Sequence, residues 1–581
     1  MNQFILKCAG VYRVWRILGY KLVYLRNSDF LALDNMADTA SSIQTPPSPA
    51  RRAAQVLLDL SLPLVLGLWL RGRGLGAESV WMDDFFSASH LNAPTLLQSL
   101  RDQRAENWEM VPFYYALQYL WAGLSPGSML WVRWLSVLFG TAAVAALYGL
   151  GRRLFGRWAG FTAALLLAAS PFQVFHARGL RPYAMVLLLA ILSWWLLVAW
   201  QERRGKAGLA GHGLLNLALL WSHLFTPLLF LGQGCWLLLV ERRNPKRLLA
   251  WGMVQLALLA TLLPWVAAIH PAPDPVVPAP RFGNPLEPVL RGDMESRDNQ
   301  FVSLLFMQEA EYLRWAVGFP PKYNEAAVDP KTELLLGFRQ PVELAAARLA
   351  LIGFAGALLC CAGALWAHWK RRRPCRPNLP SRDAPLRAQR IAAVLCWFVL
   401  PALGLYAAAV LWKPHAFQAR YVLYIWPALY LCCGVTAARF RAPAMRLLMP
   451  LAMGGALVFL SALSTLLPMR PDYLGAGRLI CPDKNGCVIV AVQDWNLWRL
   501  LGFNTPELQS SLQRYLSVDG VMEHMPEALK TSRAAWAAFE GQQSAEQRGQ
   551  FERRMKDLNI ACARTVLPGM QNLYLYRCTR P

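Results

Sequence analysis

Charged residues are scarce in this chain, and acidic residues are scarcer than basic ones. Only 16% of the 581 residues are charged, with 35 Asp and Glu against 59 Lys and Arg. A typical soluble domain has about 25% charged residues. Hydrophobic residues make up 55% of the chain, and the mean hydropathy is +0.28. This composition excludes a disordered or nucleic-acid-coating protein and argues against a soluble enzyme.

Motifs that would indicate nucleotide or zinc chemistry are also missing. The sequence has no glycine-rich phosphate loop of the Walker type. It has no Cys-x-x-Cys pair and no His/Cys cluster with zinc spacing, so we predict no structural metal. The first 50 residues lack a signal-peptide cleavage pattern; they are interpreted as a surface helix or as sequence upstream of a true start at Met36.

Long apolar runs dominate the rest of the chain. Eleven runs approach the ~20 residues that a membrane-spanning helix needs. They begin near Ala54, Met129, Trp158, Tyr183, His212, Phe225, Leu248, Leu344, Ile391, Tyr421 and Leu447. The runs from His212 and Phe225 are short, and we interpret them as two short spans; one bent span is the alternative.

Basic clusters occupy every second connection between these runs, which predicts that those connections are cytoplasmic. The alternation requires two spans between Lys206 and Arg242. The segments predicted to face outward are 72–128, 177–182, 270–342, 413–420 and the tail after 468.

The predicted protein is therefore mostly α-helical and polytopic, with three parts. Residues 1–53 form a cytoplasmic or surface segment, residues 54–468 the transmembrane domain, and residues 469–581 a small outward α/β domain. That tail has β-like runs at Val488–Val492 and Leu573–Tyr576, with helical patterning between Pro506 and Phe551.

Four cysteines lie in the tail, at positions 481, 487, 562 and 578. An even number in an oxidising compartment predicts disulfides, and four cysteines allow three pairings. We favour Cys481–Cys487 with Cys562–Cys578, because each closes a short loop.

Two adjacent carboxylates follow the first span, within Trp81-Met-Asp-Asp-Phe-Phe86. Neighbouring like charges and apolar surroundings both favour proton uptake, so Asp83 or Asp84 is a candidate general base. The alternative is a solvated acidic loop end. Glu106 and Glu109 are later candidates in the same segment.

Three arginines break the positive-inside pattern. Arg178 and Arg181 lie in the short outward connection, and Arg420 begins the tenth span. Guanidinium groups match phosphate oxygens in bidentate fashion, so these residues are candidates to bind a lipid-linked phosphate. Snorkelling, or ion pairs with Asp83 or Asp84, are the alternatives.

Three histidines, His176, His223 and His415, are also predicted on the outward side. Convergent imidazoles can bind metals. Nothing in their spacing enforces convergence, so interfacial hydrogen bonding is the preferred interpretation.

Several short motifs occur in the order found in one enzyme family. These are Trp81–Asp84, Val111–Tyr115, Arg152–Gly156, Ala168–Pro171, Ala177–Tyr183 and Ala419–Leu423. On them, residues 54–467 resemble the dolichyl-phosphate-mannose protein mannosyltransferases and their bacterial relatives, which have the C-type glycosyltransferase fold. Asp-Asp stands where the family usually has Asp-Glu, so the sugar and acceptor do not carry over.

The resemblance implies transfer of a sugar from a polyprenyl phosphate to a protein, lipid or glycan on the outer face of the membrane, with inversion. It implies that Asp83 is the general base and that Asp84 orients the acceptor or supports Asp83. The implied substrate-binding residues are Arg178, Arg181, Tyr183, Arg420, Tyr114 and Tyr115.

The same resemblance bears on partners and location. It implies a lipid bilayer, a bacterial inner membrane and no nucleic acid partner. No cofactor is expected, and a divalent cation stays open. The alternative functions are a polyprenyl-linked glycan polymerase or ligase, and a transporter or flippase.

Overall fold

The computed structural model of the protein describes most of the helical part of the chain and most of the tail. The described residues are 48–80, 82–106, 109–203, 205–267, 349, 352–369, 384–411, 419–466, 472–480, 487–492, 501, 503–504, 506–508, 512–514, 518–540, 545–567 and 573–580. The predicted segment 1–35, the loop 270–342, Cys481 and His415 lie outside them. The chain divides into two compact units, Met1–Asp59 and Leu60–Pro581. The predicted boundaries at 54 and 469 stay predictions.

Apolar helices occupy all eleven predicted positions. Within the described residues these are α1 (Pro49–Gly72), α5 (Met129–Phe155), α6 (Arg157–Ala169), α8 (Tyr183–Arg203), α9 (Lys206–Leu220), α10 (Pro227–Glu241), α11 (Pro245–Ala260), α13 (Ile352–Trp369), α14 (Ala384–Leu411), α15 (Trp426–Ala438) and α16 (Pro443–Leu466). Seven spans in the described part of the chain are long and apolar enough to cross a membrane. The prediction of a mostly helical, polytopic membrane protein is confirmed.

Shorter helices lie between these spans. They are α2 (Met82–Ala88), α3 (Leu96–Glu106), α4 (Pro112–Ala122), α7 (Pro171–His176) and α12 (Leu263–Ala267). A 3₁₀ segment, Ala419–Ile425, precedes α15. The first three of these helices belong to the long segment between α1 and α5 that carries the predicted base.

The fifth and sixth predicted spans are two separate helices. The turn 221–226 joins α9 to α10, and Trp221 N–H closes α9 by donating to the Leu217 carbonyl. Pro227 then begins α10, where a proline needs no hydrogen-bond partner. The interpretation as two separate helices is therefore confirmed, and the alternative of one bent helix is wrong.

Close backbone contacts hold the centre of the bundle together. A Cβ atom on Gly434 of α15 would lie 2.4 Å from the Ala159 carbonyl oxygen of α6. A Cβ atom on Gly160 would lie 2.6 Å from the Tyr148 carbonyl oxygen of α5. Small residues permit this approach, which replaces hydrophobic driving force as the source of packing energy between membrane helices.

The two ends of the bundle have different polar contacts. At the basic end, Arg153 and Arg390 both bind Glu202, at 2.7 and 3.2 Å. At the other end, the segments predicted to face outward contact one another, as with Asp83 and Arg420. The outward-predicted segments that carry Asp83 and Arg420 therefore lie together, while the orientation of the bundle stays a prediction.

The tail folds as a small α/β domain. It contains α17 (Tyr473–Ile480), β1 (Cys487–Val492), β2 (Leu512–Arg514), α18 (Val518–Thr531), β3 (Ala534–Glu540), α19 (Ala545–Asp557), β4 (Ala561–Leu567) and β5 (Leu573–Thr579). The strand order is β2-β1-β3-β5-β4, with β1 parallel to β2 and β3, and the other pairs antiparallel.

The predicted helical patterning between Pro506 and Phe551 is found in α18 and α19, and strand β3 between them is the correction to it. Its sequence, Ala-Ala-Trp-Ala-Ala-Phe-Glu, is rich in alanine, which favours helices in isolation. Pairing with β1 on one side and β5 on the other overrides that preference. Most of its residues are buried in the domain core.

One predicted disulfide is present. Cys562 on β4 and Cys578 on β5 face each other directly in the antiparallel register, and they are bonded. The favoured Cys562–Cys578 pairing is confirmed. The companion pairing involves Cys481, which lies outside the described residues.

Candidate active site

Several separate segments meet at one end of the bundle. The beginning of α2 supplies Asp83 and Asp84, the connection 177–182 supplies Arg181, and the 3₁₀ segment supplies Arg420. The turn 221–226 adds His223, whose ring lies 5.4 Å from that of Tyr421. Residues distant in sequence therefore surround one small volume.

Asp83 is bound by Arg420. The Nη1 atom of Arg420 donates to Asp83 Oδ2 at 2.5 Å, and 22% of the Asp83 side chain and 26% of the Arg420 side chain are exposed. The ion-pair alternative raised from the sequence is therefore realised for Arg420. A partly exposed pair of this kind can be opened by a competing anion without leaving a fully buried charge.

Asp84 points the other way and is fully buried. Its Oδ1 accepts a hydrogen bond from the backbone N–H of Leu180 at 2.8 Å. This contact ties α2 to the connection that carries Arg181. Asp84 is therefore placed to orient the neighbouring Asp83.

Arg181 has no carboxylate within ion-pair distance among the described residues. Burial acts to lower the pKa of its guanidinium, but the nearby Tyr115, Tyr183 and Asp83 outweigh burial and raise the pKa. Its Nε atom is buried and makes no hydrogen bond in the described structure. A buried cation without an ion-pair partner is costly, so this position favours an anionic ligand.

Arg178 is bound differently, although it lies only three residues away. Its Nη1 donates to the carbonyl oxygens at the end of α1, at 3.1 Å for Leu70, 3.0 Å for Arg71 and 2.6 Å for Arg73. Its Nε donates to Glu78 Oε1 at 2.7 Å. These donors are occupied, so Arg178 does not enter the phosphate site that we propose below.

We expect Arg178→Ala to reduce stability rather than substrate binding. The change removes an ion-pair partner of Glu78 and the donor to three backbone carbonyl groups, and loss of a hydrogen bond to a charged group costs about 1.5–3 kcal/mol. The check is thermal unfolding in detergent. Arg181→Ala is the matched control, and its unfolding midpoint should stay close to that of the wild type; equal destabilisation of both variants would contradict this distinction.

The three predicted tyrosines line the same region. Tyr114 is buried, and its hydroxyl lies 3.0 Å from Ser136 Oγ. Burial raises the pKa of Tyr115 to about 12, although Arg181 opposes the shift. The Tyr183 hydroxyl is buried and makes no hydrogen bond of good geometry in the described structure. Tyr183 and Tyr115 therefore lie beside Arg181, whereas Tyr114 anchors α4 to α5.

The two later acidic candidates differ in position: Glu106 pairs with a histidine of the same segment, whereas Glu109 lies near the site. The Oε2 atom of Glu106 lies 3.3 Å from His90 Nε2. Glu109 interacts electrostatically with Tyr421. In the part of the chain that the structure describes, no group of three His, Cys, Asp or Glu residues could hold a metal ion.

The tail domain contacts the residues on either side of Asp83. Sequence analysis did not predict this contact. The Asn504 amide donates to the Val80 carbonyl and accepts from the Val80 N–H, both at 2.8 Å. Phe503 packs edge-to-face on Phe85, with ring centroids 5.2 Å apart. Nothing in the local sequence marks these partners, because they are more than 400 residues apart.

Known proteins were compared with the whole chain. Residues 110–267 match the family model described as dolichyl-phosphate-mannose-protein mannosyltransferase. None of the curated proteins compared with the sequence matches it.

Two of the solved structures that resemble the protein come from different organisms. The oligosaccharyltransferase of Archaeoglobus fulgidus is 14% identical, with a TM-score of 0.46 over 82% of this chain and 67% of that chain. ArnT from Cupriavidus metallidurans, bound to undecaprenyl phosphate, is 14% identical, with a TM-score of 0.36 over 90% of this chain and 97% of that chain.

The family match begins just before α4 and ends with α12, so it includes the connection that carries Arg181. The matched part contains Tyr114, Tyr115 and Tyr183, which were singled out from the motifs. The match confirms the predicted resemblance: residues 110–267 of this membrane protein are similar to the dolichyl-phosphate-mannose-protein mannosyltransferases.

Proposed function

We propose that the protein transfers a sugar from a polyprenyl phosphate to an acceptor hydroxyl at the end of the bundle that holds Asp83. The observation that carries this proposal is the meeting of one carboxylate with two arginines in a partly buried site. Arg420 binds Asp83, and Arg181 lies close enough for Asp83 to raise the pKa of its guanidinium. A transferase of this kind needs a base and a cationic phosphate site within the length of one sugar.

The reaction follows from these groups. The acceptor oxygen attacks the anomeric carbon while Asp83 takes the hydroxyl proton. The bond between that carbon and the phosphate oxygen breaks, and the electron pair leaves with the polyprenyl phosphate. Arg181 and Arg420 stabilise the negative charge that develops on the leaving phosphate. One displacement inverts the configuration of the anomeric carbon.

In this proposal the site faces outward from a bacterial inner membrane. The Lys and Arg clusters at the opposite end of the bundle support that orientation, because basic connections are retained in the cytoplasm. The Cys562–Cys578 disulfide supports it independently, because disulfides persist in oxidising compartments. The acceptor is then a protein, lipid or glycan that reaches the same face.

The direct test uses purified protein and a panel of polyprenyl-phosphate sugars. We expect one donor to release polyprenyl phosphate in step with a glycosylated product. Release of a polyprenyl pyrophosphate would instead identify a glycan polymerase or ligase. Movement of an intact lipid-linked sugar across a vesicle membrane, without cleavage, would identify a transporter and contradict the proposal.

A further inference from the structure

His223 lies in the turn 221–226 and faces the same volume as Arg181 and Arg420. Its ring centroid lies 5.7 Å from that of Tyr183 and 5.4 Å from that of Tyr421. The turn is held from both sides: Trp221 accepts at its carbonyl from Phe113 N–H, and Phe225 accepts at its carbonyl from the Tyr424 hydroxyl. The imidazole is therefore fixed in place rather than carried on a free loop.

A hydrogen bond from the backbone to the His223 ring fixes the tautomer of the ring. Nδ1 accepts from the backbone N–H of Phe225 at 3.3 Å, so the proton of a neutral ring resides on Nε2. In the part of the chain that the structure describes, Nε2 has no hydrogen-bond partner. The ring therefore holds an unused N–H donor.

The surroundings keep this ring uncharged. Burial, then Arg181 and Arg420, lower the pKa of His223 to about 3. The titratable and charged groups that face it are Arg181 in the connection 177–182, Tyr183 at the start of α8, and Arg420 and Tyr421 in the 3₁₀ segment. A histidine among two guanidiniums stays neutral at physiological pH, and it contributes a donor without a third positive charge.

Several hydrogen-bond donors lie close together beside His223. The Nε atoms of Arg181 and Arg420 and the hydroxyl of Tyr183 are buried and make no hydrogen bond of good geometry within the described residues, although Arg181 and Tyr183 lie side by side. His223 Nε2–H adds a fourth donor beside them. A cluster with several donors and few acceptors matches a ligand that is rich in acceptor oxygens, and a phosphate offers these in a tetrahedral arrangement.

We infer that His223 is a phosphate-binding residue, donating its Nε2–H to an oxygen of the polyprenyl phosphate. This inference rests on the proposed function, because it assigns a further ligand to the same phosphate. The neutral donor complements the two cations: it fixes the position of one oxygen, whereas Arg181 and Arg420 supply the charge.

The test measures binding of undecaprenyl phosphate to the full-length protein in detergent. His223→Phe keeps a flat ring between the tyrosines but removes the donor, and we expect its dissociation constant to rise about 10-fold. His223→Gln places an amide N–H near the position of Nε2, and we expect it to bind within about 3-fold of wild type. His176→Phe is the matched control, because His176 packs on the same Tyr183 ring at 4.8 Å.

A second readout separates a neutral donor from a cation. The ratio of wild-type affinity to His223→Gln affinity cancels the titration of the ligand itself. We expect that ratio to stay constant between pH 8 and pH 6. A ratio that rises as the pH falls would mean that the imidazolium binds the phosphate, and it would overturn the neutral-donor assignment.

Each remaining outcome has one meaning. Equal losses in His223→Phe and His176→Phe would show that the effect passes through the Tyr183 ring, and they would overturn the inference. Wild-type binding by His223→Phe, with weak binding by Arg181→Gln, would overturn the inference and leave the phosphate site intact. Wild-type binding by both His223→Phe and Arg181→Gln would remove the phosphate site, and with it the proposed function.

Discussion

Replacing Asp83 with asparagine is expected to abolish sugar transfer while the protein stays folded and still binds its donor. Asparagine keeps the size of the side chain and one hydrogen-bond acceptor, but it cannot take the acceptor proton. Loss of a general base lowers rates by about 10²–10⁴-fold. The substitution also removes the anion that binds Arg420, so the affinity for polyprenyl phosphate should be unchanged or higher.

The measurement is the transfer rate at saturating donor, together with undecaprenyl phosphate binding and the thermal unfolding midpoint. Asp84→Asn is the matched control, one residue away in α2. Its amide oxygen can still accept from Leu180 N–H, so this variant should retain much more activity. The pair of variants therefore separates proton transfer from orientation.

Other patterns would change the assignment. An active Asp83→Asn with an inactive Asp84→Asn would exchange the roles of the two residues. Activity in both variants would show that this carboxylate pair is not catalytic. Glu109 would then be the next candidate, because it lies near Tyr421.

The helices and their order could be predicted from the sequence because membrane insertion is decided locally. A run of apolar residues forms a spanning helix whatever its distant neighbours are, since backbone polar groups must be satisfied within the segment. The two short helices α9 and α10 could also be predicted from the sequence. Charge alternation required a reversal between Lys206 and Arg242, and the turn 221–226 provides it.

The roles of Arg178 and Arg181 could not be separated from the sequence. Both lie in one short connection, and both break the charge pattern in the same way. Their difference comes from long-range contacts: Arg178 meets the carbonyl groups at the end of α1, whereas Arg181 meets Tyr115, Tyr183 and Asp83. Such contacts depend on how the helices pack, which hydropathy does not encode.

The tail shows the same limit for secondary structure. Cys487–Val492 and Leu573–Thr579 have the β-branched and aromatic residues that favour strands. Ala534–Glu540 has two aromatic residues but four alanines and no β-branched residue, so its signal is weak and pairing with β1 and β5 decides its structure. The hydrogen bonds between Asn504 and Val80 depend on where the tail domain packs, so no local sequence pattern predicts them.

Replacing Arg420 with alanine is expected to weaken donor use more than acceptor use. In the proposed reaction the Arg420 guanidinium exchanges its Asp83 partner for the phosphate, and loss of a charge-assisted contact costs about 1.5–3 kcal/mol, or roughly 10–150-fold. The donor KM should rise by that factor. The acceptor KM at saturating donor should change little.

Two further variants show whether charge or geometry is responsible. Arg420→Lys keeps the charge but lacks the planar fork, so we expect an intermediate donor KM. Arg439→Ala removes a positive charge at the opposite end of α15, where Nη1 lies 3.5 Å from the Cys360 carbonyl oxygen, and should leave donor use unchanged. An unaltered donor KM in Arg420→Ala would mean that Arg420 serves only to hold Asp83. Phosphate binding would then fall to Arg181, which already lacks a carboxylate partner in the described structure and would carry the charge of the leaving group alone.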